Sequence, residues 1–164
     1  MSIFNKHRDN TEDVYIGLRQ RALELKPEDI QIQLDGANQV YGAVVDIPAT
    51  KAAVTLFCSF DGTISLYFSN GGGILGSGQK YETVRKAGME FLYSAGQTLE
   101  YMEKVTDTAY CKNDNAVVYL LSESGTFRTE FNMGEQQTEK YKAFLNFLIQ
   151  RVLNALRESG AMNR

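Results

Sequence analysis

The chain has 164 residues, 43% of them hydrophobic and 23% charged, and a formal net charge of −3. That length suits one domain able to bury a core, and the even spread of charge with only two prolines argues against long disordered stretches. The acidic balance, without a basic stripe, excludes nucleic acid as the expected partner, and no apolar run is long enough for a signal segment or a membrane span.

Two cysteines, Cys58 and Cys111, are too few for a disulfide framework, which agrees with a reducing compartment; a cytoplasmic protein is the expectation. Residues 1–10 read as an N-terminal tail, 11–159 as a single α+β domain and 160–164 as a C-terminal tail.

In chain order, the spacing predicts a first helix over Thr11 to Leu25, with Thr11 as N-cap and Val14, Tyr15, Leu18, Ala22 and Leu25 forming one apolar stripe. Ile16 and Leu23 fall on the other side and form a second, small apolar face. After a turn-rich connection the period becomes extended. The runs at 40–47, 52–60 and 63–70 read as three strands, the last two joined at Asp61-Gly62 by a two-residue turn with positive φ at both positions.

A long helix is predicted from Gln79 to Val105, then a second hairpin, Ala116 to Asn132, turning at Ser124-Gly125, and a last helix over Gln136 to Arg157. In that last helix Ile149 and Leu153 widen the apolar stripe beyond what one covered surface needs. Together with Ile16 and Leu23 they are the candidate oligomer interface, and a homodimer is the expected use. The resulting layout is an antiparallel sheet of about five strands covered by three helices, in the order helix, three strands, helix, two strands, helix. This order resembles that of small regulatory domains of the roadblock or profilin-like kind, with no shared motif, and implies function through dimer or partner contacts.

Between the third strand and the long helix lies SNGGGILGSG, residues 69–78, which contains Gly71-x-Gly73-x-x-Gly76. A dinucleotide site needs this loop between parallel strands with an acid at the end of the second; here the strand before it belongs to a hairpin and a helix runs on after it, so a nucleotide is excluded. A looser site remains, in which Gly71, Gly72, Gly73, Gly76, Ser77 and Gly78 with Lys80 hold a small anion or a partner's surface. The competing reading is structural, with the glycines permitting a tight crossover and Ile74 and Leu75 tucked beneath the helix.

Catalytic groups are sparse: the single histidine, His7, falls in the tail, and neither metal-ligand spacing nor a nucleophile–base pair occurs, so no cofactor and no metal are expected. Asp61, Asp107, Asp114 and Glu123 read as loop carboxylates, and Cys111 beside Lys112 as an ordinary thiol. Among the aromatics, Tyr41, Tyr67, Tyr93, Tyr101 and Tyr119 read chiefly as core, with the lining of a groove as the alternative. The favoured reading is a non-catalytic protein-interaction or regulatory domain, with small-molecule or anion binding through residues 71–78 second and an enzyme third.

Overall fold

A computed structural model describes residues 3–160, with side chains from Thr11 onward. His7's side chain and residues 161–164 of the expected C-terminal tail lie outside the described residues. The architecture is α+β: a seven-stranded antiparallel sheet, where about five strands were expected, and four α-helices, where three were expected.

In chain order the elements are α1 (Ile3–Leu23), β1 (Gly42–Ile47), β2 (Val54–Ser59), β3 (Ile64–Phe68), β4 (Gly73–Ile74), α2 (Ser77–Lys80), α3 (Glu82–Ala95), β5 (Glu103–Val105), β6 (Ala116–Ser122), β7 (Gly125–Phe131) and α4 (Lys140–Glu158). Two 3₁₀ turns, Pro27–Ile30 and Gly96–Tyr101, complete the set. The sheet order is β4-β3-β2-β1-β6-β7-β5, so β1 lies between the two expected hairpins, with Ala43 opposite both Cys58 and Leu120.

The two extra strands are short edges, of two and three residues, too brief to leave a period in the sequence. One of them replaces the end of the predicted 79–105 helix. That helix is broken at Tyr81, which is extended (φ −122°, ψ 119°), and α3 ends at Ala95. A Cβ on Gly96 would stand 2.9 Å from the carbonyl oxygen of Asn38, so close backbone approach fixes the position as glycine where the winding tightens. The last helix begins at Lys140 instead of Gln136, and the first begins at Ile3 instead of Thr11.

The turn at Asp61-Gly62 also differs: only Gly62 takes positive φ (93°), and residues 60–63 form a wider loop. The Asp61 carboxylate closes it, accepting from the Ser59 hydroxyl and, at 3.0 Å, from the Thr63 N–H.

Side chains alternate across the sheet as a half-period of two requires. Ala43, Val45, Leu56, Cys58, Leu66, Val118 and Leu120 face α3 and α4 and form the main core with Phe91, Leu92, Leu145, Leu148 and Val152. Leu99 is buried with them, whereas Val54 and Phe144 pack only partly against that core. The opposite face carries Val44, Phe57, Tyr67, Val117 and Tyr119, covered by α1 through Tyr15, Ala22 and Leu23.

A buried polar network ties α1 to the sheet beside these apolar contacts. The Arg19 guanidinium, 4% exposed, donates from Nε to Asp46 Oδ1 (3.0 Å) and from Nη2 to Oδ2 (2.7 Å). Thr55 donates to the same Oδ1 (2.8 Å), so the Tyr15 hydroxyl is the donor in its 2.5 Å bond to Thr55. Above the pair, Tyr110 and Tyr119 each place a ring centroid 5.6 Å from the Arg19 guanidinium carbon. The helix is therefore rotated from its expected stripe: Val14 is 62% exposed, and Arg19, an unlikely core residue by composition, takes the inward position.

Burial pushes the Tyr15 hydroxyl up to about 12. The folded state thus holds that proton more tightly than the unfolded chain, whose tyrosines titrate near 10. The associated stability is complete below about pH 10 and is lost as pH rises toward 12. Burial raises Tyr41 and Tyr67 in the same direction. Urea melts from about pH 8 to 11 are expected to show a steady loss of stability above about pH 9.5, with a shallower slope in Tyr15→Phe.

Candidate functional site

The glycine segment resolves into the β3–β4 turn and a crossover. Gly71 (φ 101°) and Gly72 (φ 77°) make the turn, Gly73 lies in β4 opposite Tyr67, and Gly76 (φ 67°) precedes α2. Ser77 and Gly78 are buried inside α2, and Lys80 is exposed at its end, its ammonium 5.4 Å from the Tyr81 ring centroid.

The backbone donors here are turned inward. Gly76 N–H donates to Ser65 Oγ (3.0 Å), Gln79 N–H to the Gly76 carbonyl (3.1 Å) and Tyr81 N–H to the Ser77 carbonyl (2.8 Å). A four-residue helix carries little dipole, so the glycines are accounted for by packing and by turn geometry. Ile74 packs partly on the core, while Leu75, expected beneath the helix, is 66% exposed.

The candidate interface residues are treated differently by the fold. Ile149 and Leu153 are buried in the main core and Leu23 beneath α1, all by their own chain, which removes the reason for assigning them to an oligomer interface. Their breadth on α4 is used in full, because that helix packs on both the sheet and α3. Ile16 alone stays open, 56% exposed at the rim of a small cavity of about 230 Å³ beside Tyr110.

Of the tyrosines for which a groove is the alternative reading, Tyr41, Tyr67 and Tyr119 are buried, and Tyr93 stands out on α3 with its ring edge against Phe60. Tyr101 does line one. It lies at the end of the 3₁₀ turn Gly96–Tyr101, where Thr98 and Leu99 are buried and anchor the inner side. The Thr98 hydroxyl donates to the Ala95 carbonyl (2.7 Å). With those two turned inward, Glu100 and Tyr101 project outward.

Facing them is the first turn of α4. Tyr141 and Phe144 point to the same hollow, and the Tyr141 hydroxyl is 3.0 Å from Thr129 Oγ1 on β7. The Tyr101 and Tyr141 rings stack with centroids 5.5 Å apart and planes 21° from parallel. Between the two walls lies an open groove of about 860 Å³, with Gln97, Glu139 and Lys140 on its rim. A second hollow of about 350 Å³, lined by Asn38, Leu99 and Phe127, adjoins it and shares Gln97 and Glu100.

Tyr101 is 62% exposed yet held by the stack on Tyr141, and the neighbouring Glu100 carboxylate raises its hydroxyl's pKa above the ordinary tyrosine value. A surface aromatic ordered in advance loses little conformational freedom when something lands on it. The groove therefore offers a rigid aromatic floor with a polar rim, the composition of a contact surface.

Tyr141 and Phe144 lie at helical spacing with Leu145 and Leu148, so the sequence reads them as core, and of the groove's aromatics only Tyr101 has a groove as its alternative reading. Among the described residues no group of three or more His, Cys, Asp or Glu side chains could hold a metal, and no helix is long and apolar enough to cross a membrane. Comparison with protein-family models, with curated proteins and with solved structures finds no match to this chain.

Proposed function

We propose that the chain is a non-catalytic protein-interaction domain that docks a segment of a partner polypeptide in the groove between the 3₁₀ turn Gly96–Tyr101 and the start of α4. The observation that carries this reading is the Tyr101–Tyr141 stack, its Tyr141 hydroxyl on Thr129, at the mouth of a groove of about 860 Å³. Core packing does not require it: Tyr101 buries little of its own ring, so the order supports contact with something outside the chain. The groove is open along its length, which suits an extended or helical segment better than an enclosed metabolite.

A photo-crosslinking residue at position 97, on the groove rim, tests this in cells that produce the protein. A crosslinked polypeptide is expected at position 97 and not at position 20 on exposed α1, and Tyr101→Ala should remove it while leaving the melting temperature within a few degrees, as an exposed side chain should. Equal crosslinking at both positions, or crosslinking indifferent to Tyr101→Ala, would defeat the proposal.

A further inference from the structure

The charge on the two walls of the groove differs. On the α4 wall Glu139 is paired with Lys142 at 3.0 Å, which leaves Lys140 as that wall's charge. On the opposite wall stands Glu100, with no cation paired to its carboxylate among the described residues. A carboxylate offers about four acceptor sites, so most of Glu100's capacity is open. It is also the one charge shared by both adjoining hollows, and the smaller one, lined by Asn38, Gly96, Gln97, Leu99 and Phe127 besides Glu100, has no basic residue.

An open carboxylate beside an exposed tyrosine face suits a planar cation. A guanidinium can meet the carboxylate through its N–H groups while its plane lies on the ring, a combination that an ammonium achieves less well. We infer that the docked segment places an arginine side chain against Glu100 and the open face of Tyr101, with its apolar neighbours against Phe144 and Phe127. This rests on the docking reading and adds the chemistry of the partner: a basic-apolar stretch, whose acidic or carbonyl groups would face Lys140.

The test uses the full chain, labelled with ¹⁵N, and two small probes, N-acetyl-arginine amide and its uncharged isostere N-acetyl-citrulline amide. The arginine probe is expected to move the backbone amides of residues 97–101 and 139–144 and to bind about fivefold or more tightly than citrulline. Glu100→Gln should bring the arginine probe down to the citrulline level while the spectrum elsewhere stays that of the folded protein. If both probes bind alike, or if the arginine shifts map away from residues 97–101, the arginine assignment is overturned. Crosslinking at position 97 reports separately: if it persists in that case, docking stands without arginine, and if it too is absent, both fall.

Discussion

Arg19→Ala is expected to destabilise the protein by about 3–5 kcal/mol, a large part of the 5–15 kcal/mol that holds a typical domain together. The substitution removes both Arg19 donors from Asp46, which is 5% exposed on β1. Thr55 would remain as its one side-chain donor. Asp46→Ala should cost a comparable amount for the reciprocal reason, since it strands a guanidinium between Tyr110 and Tyr119 beneath α1. Because each single change already breaks the same pair, the double variant should cost much less than the sum. Urea denaturation of the four proteins gives the cycle. Single variants within about 0.5 kcal/mol of the wild type would mean that α1 is not held by this pair.

Gly78→Ala is expected to cost about 3 kcal/mol or more, although alanine is the better helix former and Gly78 lies in a helix. The added methyl would come 2.1 Å from the Gly62 carbonyl oxygen and 2.7 Å from Ile64 Cγ1. Neither can move freely: Gly62 N–H is bonded to the Ser59 carbonyl at 3.0 Å, and Ile64 is fully buried. The crossover must therefore lift from β3. Gly72→Ala is the useful contrast, because nothing lies within 4 Å of its added methyl and only the positive φ of 77° opposes it, a cost of about 1–2 kcal/mol. Thermal melts should rank Gly78→Ala well below Gly72→Ala. Equal melting temperatures would show that the crossover is loose enough to accept side chains.

The same pair of substitutions explains how far the sequence could be read. Period and turn residues were enough to place the two hairpins and the three long helices, because alternation and helical spacing report burial directly. They could not separate a glycine kept for close approach from one kept for a ligand, since Gly78 faces a backbone oxygen that is 16 residues away in sequence. Edge strands of two and three residues left no period to detect.

Arg19 was missed for a related reason. A cation within a helix reads as the solvent side, yet Asp46 alone interrupts the apolar run Gly42–Ile47, and a lone acid in a buried strand needs a donor from elsewhere. The line Tyr15, Arg19, Leu23 at intervals of four was visible and names that donor. The groove was barely legible: Tyr101 was one of five tyrosines read chiefly as core with a groove as the alternative, and its partner Tyr141 was hidden inside the core stripe of the last helix, because spacing tells which face a residue occupies and not where that face runs out of sheet.

Native mass spectrometry of the wild type beside Tyr101→Ala, both purified gently from producing cells, tests the docking groove most directly. The wild type should carry the added mass of a polypeptide, and Tyr101→Ala should run at the mass of the chain alone with an unchanged melting temperature. A small-molecule mass on the wild type, or the same polypeptide retained by Tyr101→Ala, would contradict a partner held by the Tyr101–Tyr141 stack.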